Sequence, residues 1–441
     1  MSGAIEIEGA EPPKRVRLGL LGCGNVGAAL VGLIERDHDE IAARTGISLE
    51  VTRVAVRSMS KERGLSLPDG VLTTDGASVA SDPDVDVVVE VLGGIEPARE
   101  YITAALHAAK PVVTANKELL ANVGGELAEV ADGAGVDLLF EAAVAGGIPL
   151  IRPLRESLVG ERITRVMGIV NGTTNFILSQ MSDRGTGYAE ALAEAQSLGF
   201  AERDPTADVE GYDAGAKAAI IATIAFGARV VAGDVYHEGI SNISAADIAY
   251  AEQMGYRIKL LAICERFDDD DSVAVRVHPT MVPVGHPLAA VSGSFNAVFV
   301  EGVSVGELMF YGRGAGGLPT ASAVLGDVID AAQNLAKSTH ASLGSIGRSR
   351  IRPIDELSSA FYVNLEVADE PGVLAAVAGV FGGHGVSIRS MEQEGLDDQA
   401  RLVFITHEAS ESAVRATLKE LAALDSVQRV NSVLRVIGRE G

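Results

Sequence analysis

The run Val16-Arg-Leu-Gly-Leu-Leu-Gly22 constrains this chain more than any other feature, because it passes straight into Gly22-Cys-Gly-Asn-Val-Gly27 and then into a helical pattern through Ile34. Glycines in Gly-x-Gly-x-x-Gly spacing mean little alone, but between a strand and a helix they have the context that dinucleotide binding requires. Gly22 allows the tight turn, Gly24 lets a pyrophosphate approach the backbone, and Gly27 lets helix and strand pack closely. Asn25 and Val26 open the helix whose N-terminus then faces the phosphates. A merely glycine-rich turn is the alternative. Cys23 reads as a small filler, since nothing beside it in sequence favours a reactive thiolate.

The same alternation continues downstream. A second strand covers 49–56, and at its end an NAD enzyme would place an acid to hold the ribose 2′-hydroxyl. This chain has Arg57 there, followed by Lys61 and Arg63. An arginine suits a 2′-phosphate, so NADP is favoured over NAD, while Lys61 and Arg63 also read as solvated loop charges. A third strand over 85–92, a helix over 97–109 and a fourth strand at Pro111-Val-Val-Thr114 follow. That strand ends in Ala115-Asn116-Lys117, at the end of a parallel strand where ligands bind, so Lys117 either reaches a ligand or is an ordinary helix-start lysine. A helix over 118–131, a strand over 137–140 and a small-residue loop from Glu141 to Ile148 complete a doubly wound parallel sheet, a Rossmann-type domain over 14–148 behind a loose tail at 1–13.

Past Pro149 the pattern becomes α+β, a substrate/dimerisation domain over 149–318. The spacing predicts a strand over 162–170, a turn at Asn171-Gly-Thr-Thr-Asn175, short helices over 176–181 and 188–198, and a buried helix over 214–225. A helix over 244–254 capped by Ser244 and strands over 257–266, 273–277 and 295–301 follow. Residues 311–319 read as flexible and glycine-rich. A helix assigned to 319–337 returns to the first domain, and 338–356 reads as a linker. The last unit, 357–441, has the order βαββαβ with a turn at Asp369-Glu-Pro-Gly372, a ferredoxin-like module. It serves either regulation or packing.

One stretch gathers charge at the mouth of an otherwise apolar helix. If Tyr212 or Asp213 opens that helix, Asp213 and Lys217 stand four residues apart on one face, at the end where anionic groups are favoured. Glu202, Asp204 and Asp208 come from the loop before it. By spacing alone the bland reading comes first: an i,i+4 ion pair with solvated loop acids.

Taken in order, Gly22-Cys-Gly-Asn-Val-Gly27, Thr114-Ala-Asn-Lys117, Glu141-Ala-Ala-Val-Ala-Gly146, Asn171-Gly-Thr-Thr-Asn175 and the stretch from Glu202 to Lys217 resemble the homoserine dehydrogenase family from about Val16 to Leu335. The C-terminal unit resembles an ACT regulatory domain. The resemblance implies NAD(P)-linked interconversion of L-homoserine and L-aspartate 4-semialdehyde, in threonine, methionine and isoleucine biosynthesis. It also implies the single-function form of the enzyme, with no aspartokinase module. It makes Lys217 the catalytic lysine with Lys117 beside it, Glu202 the ligand of the substrate amine, and Asp213 a second substrate carboxylate. Gly172 and Thr173 would line the substrate site, and Gly316 a glycine turn near the nicotinamide. A monovalent cation, sodium in the family, would be held mainly by backbone oxygens at Glu141, Val144, Gly146 and Ile148. Threonine is the implied effector, with Asp369 and Gly372 in the regulatory turn, and a homodimer or homotetramer is the implied assembly. The residue chemistry agrees: reducing an aldehyde needs a proton for the developing alkoxide, and a lysine beside a carboxylate can supply it.

Composition narrows the alternatives. With 36 Lys and Arg against 60 Asp and Glu, the formal charge is −24, which argues against partnership with nucleic acid or an anionic membrane. No signal peptide or membrane-length apolar run is evident, so a cytoplasmic address is expected. An aspartate-semialdehyde dehydrogenase would need a thiol nucleophile, yet Cys23 lies in the phosphate loop and Cys264 within a strand. A non-catalytic amino-acid sensor would show a lost Lys217 or a broken glycine loop, and both are intact.

Overall fold

The structure, a computed structural model, describes residues 12–65, 67–344, 346–396 and 399–437. Most of the tail expected at 1–13 lies outside them. The chain divides into two compact units: the described residues up to Arg152 with the segment that starts at Ala315, and Pro153–Gly314 with the residues from Ile346 onward.

In the first unit six parallel strands lie in the order Leu72–Thr73, Ile47–Ala55, Lys14–Leu21, Val87–Glu90, Val112–Thr114, Leu138–Leu139. Helices cover such a sheet on both faces, which is why Val87–Glu90 is buried at every position. The chain reverses direction across the sheet between Lys14–Leu21 and Val87–Glu90. This switch point is where open α/β sheets bind ligands. Helix Gly317–Lys337 supplies Ala321, Val324, Val328, Ala331 and Ala332 to the core shared with Leu30, Val31 and Ile34 of helix Asn25–Arg36.

Among the described residues of the second unit, eleven strands form one sheet. Gly306–Arg313, Phe295–Gly302, Ile163–Ile169, Tyr256–Arg266 and Val273–Pro283 run antiparallel in that order. Then Thr280 and Met281 pair in parallel with Arg435 and Val436, so the sheet continues through Val427–Val436, Ser358–Ala368, Gln399–Thr406 and Ile388–Leu396. Helices Val373–Gly383 and Glu411–Leu421 complete the βαββαβ order of the C-terminal part. Segment 338–356 is tied down after Gly347. The Arg229 amide donates to the Gly347 carbonyl, the Arg352 amide donates to the Val273 carbonyl, and the Val273 amide donates to the Arg350 carbonyl.

Three local expectations are corrected. Asn171-Gly-Thr-Thr-Asn175 is not a free-standing turn; it opens the helix Gly172–Arg184, capped by the Asn171 side chain on the Thr174 amide. Glycine and two threonines are weak helix formers, so only the cap reveals the start. The strand expected over 273–277 runs on to Pro283, through Pro279. Gly306–Arg313 is a strand where Tyr311 onward read as loop; its partner Phe295–Gly302 supplies the backbone pairing, and Tyr311 stacks on Phe295 at 5.1 Å. No described helix is long and apolar enough to cross a membrane.

Candidate active site

In the first unit the glycine loop lies at the switch point. Gly22 has φ +105°, and a Cβ there would come within 2.8 Å of the Val91 carbonyl. A Cβ on Gly27 would stand 2.6 Å from the Gly22 carbonyl, so the helix can approach the strand only without it. Gly24 and Asn25 are exposed, Val26 is half-buried, and a Cβ on Gly24 would meet nothing within 4 Å. Helix Asn25–Arg36 starts with no side-chain cap and no acid in its first turn. Open amides at a helix N-terminus, free of competing carboxylate, fit the pyrophosphate of NAD(P). Gly316 (φ 125°) precedes helix Gly317–Lys337, and a Cβ on Gly317 would lie 3.2 Å from the Asn25 carbonyl. Arg57 is exposed just past Ile47–Ala55. Arg63, expected among solvated charges, folds back instead, donating to the Lys61 and Ser58 carbonyls. Burial pushes the Cys23 thiol up, in keeping with a filler role.

A carboxylate that the sequence reading left without a role organises the next strand ends. Glu90 is fully buried and accepts from Thr114 Oγ1 (2.5 Å), the Leu92 amide (2.7 Å) and, at longer range, Asn116 Nδ2. Burial raises its proton affinity. Asn116 caps helix Lys117–Ala134 through the Leu119 amide, so this network sets where half-buried Lys117 begins its helix. The available signal was an acid ending an otherwise apolar strand-length run.

In the same unit Glu141, Val144, Gly146 and Ile148 share one buried loop, in which Ala145 (φ 56°) and Gly146 (φ 52°) are consecutive left-handed residues. The Glu141 carboxylate accepts the amides of Leu150, Ile151 and Arg152. Its own amide donates to Asp327, whose pKa is pushed up to about 7 chiefly by burial. With the carboxylate so engaged, Glu141 would serve a cation through its backbone oxygen, and such hard neutral oxygens fit a monovalent ion. Among the described residues, no group of three or more His, Cys, Asp and Glu is arranged for a metal.

In the second unit Gly211, at φ +85°, is the residue before helix Tyr212–Phe226. Its left-handed backbone, against the Glu238 carbonyl and Val277, admits glycine and little else. The helix buries Ala214, Ala218, Ala219, Ile220, Ile221 and Ala222, which draws its first turn into the protein. Asp213 and Lys217 are accordingly 8% and 9% exposed. Lys217 Nζ lies 2.7 Å from Asp213 Oδ2 and donates to the Val170 carbonyl at 2.7 Å. Asn171 Nδ2 bridges Asp213 Oδ2 (2.9 Å) and Asp208 Oδ1 (2.7 Å). The pair foreseen by spacing is thus inside, where a solvated surface pair would have been the bland outcome. Gly172 starts the adjacent helix, and Thr173 Oγ1 donates to the Phe200 carbonyl at 2.7 Å. Glu202 is exposed, its backbone carbonyl taken by Gln196. Asn171, missed as a site residue, could have been found from its position before the helix start.

Comparison with known proteins divides the chain into three matched domains. Residues 22–141 match the homoserine dehydrogenase NAD binding domain, 149–329 the homoserine dehydrogenase domain and 361–426 the ACT domain. The homoserine dehydrogenase of Corynebacterium glutamicum is 52% identical, over 97% of this chain and 97% of its own. The chain belongs to the homoserine dehydrogenase family. Among solved structures, the homoserine dehydrogenase from Thiobacillus denitrificans superposes with a TM-score of 0.91 at 41% identity, covering 96% of this chain and 98% of that one. A hyperthermophilic archaeal homoserine dehydrogenase in complex with NADPH gives 0.62 at 30% identity, over 72% of this chain and 97% of that one. The protein is therefore an NAD(P)-dependent oxidoreductase with homoserine dehydrogenase activity, and it carries an ACT domain. In that domain Asp369 is exposed and Gly372 (φ 94°) stands before helix Val373–Gly383.

A second buried lysine in the homoserine dehydrogenase domain carries a pH signature. Lys259, 4% exposed, donates to the Val291 carbonyl and lies 3.3 Å from Asn175 Oδ1. Burial pulls its pKa down from 10.5 to about 8. Between those values the unfolded chain binds the proton and the folded chain does not, so stability rises with pH across that window. Below it, the full cost of burying an ammonium is present. Denaturant unfolding at pH 7.5 and 9.5 should show a gain of about 2 kcal/mol that Lys259→Met lacks. Parallel behaviour of the two proteins would remove Lys259 as the source.

Proposed function

We propose that the protein reduces L-aspartate 4-semialdehyde to L-homoserine with NADPH, Lys217 giving the carbonyl oxygen its proton. The observation that carries this reading is the buried Lys217–Asp213 pair at a helix mouth. A bound nicotinamide supplies the hydride, or accepts it in the reverse direction. As the carbonyl carbon is reduced, the Lys217 ammonium passes a proton to the oxygen and stabilises the charge developing there. In homoserine oxidation the neutral amine takes the hydroxyl proton back. Asp213 orients the lysine and, with Glu202, offers negative charge to the substrate ammonium, while Gly172 and Thr173 line the pocket beside them. Lys117 is the further lysine to which the family resemblance gives a part in the reaction.

Arg57 in the place of a ribose-binding acid supports NADP over NAD, as does the NADPH complex of the archaeal relative. Sodium at the backbone oxygens of Glu141, Val144, Gly146 and Ile148 would order the loop rather than act as a Lewis acid. The ACT domain supports threonine as effector, acting through the turn at Asp369 and Gly372, and a homo-oligomer as the working form. The activity belongs to the route toward threonine, methionine and isoleucine.

The test is NADPH oxidation by the purified protein with L-aspartate 4-semialdehyde, in sodium and in potassium, with and without threonine. Homoserine-forming turnover is expected, faster in sodium and slowed by threonine. Equal rates in the two cations would remove the sodium assignment, and indifference to threonine would remove that effector. NADPH binding without turnover would overturn the catalytic reading in favour of a sensor.

A further inference from the structure

Asn171 follows the strand Ile163–Ile169 and stands before helix Gly172–Arg184, and the two ends of its amide do different things. The oxygen accepts from the Thr174 amide at 2.8 Å and from Thr174 Oγ1 at 3.0 Å. The nitrogen donates to Asp208 Oδ1 at 2.7 Å and Asp213 Oδ2 at 2.9 Å. Its partners dictate this orientation, because only the nitrogen can face two carboxylates and only the oxygen can accept from an amide N–H. Asp213 Oδ2 is also the atom that takes Lys217 Nζ, and Lys217 in turn is anchored on the carbonyl of Val170, the residue before Asn171. Strand end, helix start and catalytic helix therefore meet at one side chain.

We infer that Asn171 is a positioning residue: it holds the Asp208 and Asp213 carboxylates together and so fixes how Asp213 presents itself to Lys217. The inference rests on Lys217 and Asp213 acting in the reaction. A cap alone does not require asparagine, since Ser, Thr and Asp serve as well. Among these, only asparagine joins a carbonyl acceptor to an N–H₂ donor that can span two carboxylates. Aspartate would cap equally while placing a third negative charge against two. A Cβ on the next residue, Gly172, would come within 2.8 Å of the Ser294 carbonyl, so the helix start packs closely against that loop.

The charged and titratable groups around this point include Asp208 from the short helix Thr206–Val209, Asp213 and Lys217 on the helix that follows, His237 beside Tyr212 (ring centroids 4.3 Å apart) and Cys264 on the strand behind. Burial pushes the Cys264 thiol up to about 12, so it stays neutral at working pH.

The experiment compares Asn171→Asp and Asn171→Ser with the parent enzyme, measuring kcat, KM and the pH profile of homoserine oxidation, with thermal unfolding as control. Both substitutions keep a cap, so the serine variant should melt close to the parent, while the aspartate variant should melt lower because it adds a buried carboxylate beside two others. Turnover should fall at least about tenfold, as when a group aligning an acid–base residue is lost, and by more than KM for homoserine rises, since Asp213 also faces the substrate ammonium. In Asn171→Asp the extra carboxylate favours the protonated lysine, so the profile, which needs neutral amine, should move to higher pH. If the aspartate variant does not fold, the kcat-against-KM split of the serine variant decides. Turnover within threefold of the parent, with an unmoved profile wherever the aspartate variant folds, would leave Asn171 a helix cap and overturn the inference. Lys217→Met run alongside separates the two readings: if that variant keeps its turnover, the catalytic assignment has failed, not the bridge.

Discussion

Lys217→Met is expected to lower kcat for semialdehyde reduction by about 10²- to 10⁴-fold, the usual worth of a positioned proton donor. Methionine matches the length of the lysine stem, so the packing of helix Tyr212–Phe226 should survive. Asp213 keeps the Asn171 amide as a donor but loses its buried cation, so the variant should also melt lower while remaining folded at assay temperature. The nucleotide loop Gly22–Gly27 is built from other residues, so NADPH affinity by fluorescence titration should stay within about twofold. The loss should therefore appear in kcat, with circular dichroism unchanged. Turnover within threefold of the parent in a folded, NADPH-binding variant would remove Lys217 from the chemistry.

The second large effect is expected on stability, at Arg435. This arginine is 6% exposed. It pairs through Nε and Nη2 with the buried Glu411, and through Nη1 with Glu238 at 3.0 Å. It also lies over the rings of Tyr236 and Phe361, and the Tyr236 hydroxyl donates to the same Glu238. Glu411 belongs to the C-terminal βαββαβ part, whereas Tyr236 lies in the short strand Tyr236–His237, paired with Arg276 and Val277 of the central sheet, and Glu238 follows it directly. Arg435 thus clasps the seam at which Val427–Val436 joins Val273–Pro283 over only two residue pairs. Removing one partner of a buried pair leaves the other charge desolvated and unpaired, a cost of about 3–5 kcal/mol. Arg435→Met should accordingly unfold at clearly lower urea concentration. Adding Glu411→Leu should recover much of the loss, since an apolar pair of similar volume carries no stranded charge. A single variant as stable as the parent would mean that the seam depends on its apolar contacts alone.

How much of this was legible beforehand depended on how local each feature is. The strand–glycine loop–helix unit lies within about twenty residues, and its spacing carries its own physical reason: a turn, an open backbone and a close approach. Strand and helix alternation likewise made the parallel sheet readable, because burial on both faces demands near-continuous apolar runs such as Val87–Glu90. The Asp213–Lys217 pair was legible as a pair because four residues is one helical turn.

Its burial was not. Whether that pair is a solvated ornament or an interior site is decided by what lies above it, and this comes from Val170, Asn171 and Asp208, two of them more than forty residues from Lys217. Helix Gly172–Arg184 hid behind residues of poor helix propensity because its start depends on one side-chain cap and on tertiary packing. The Glu90 network joins two strand ends that only the sheet brings together. The continuation of the central sheet into the C-terminal part follows from pairing between Met281 and Val436, for which no periodicity in either strand is a signal. Sequence alone thus determined the elements, the dinucleotide loop and the family resemblance, since those rest on contacts within a turn or a strand–turn–helix unit. Tertiary structure alone decided which charges are buried, what holds them and where the two sheets become one, because backbone pairing and desolvation depend on neighbours distant along the chain.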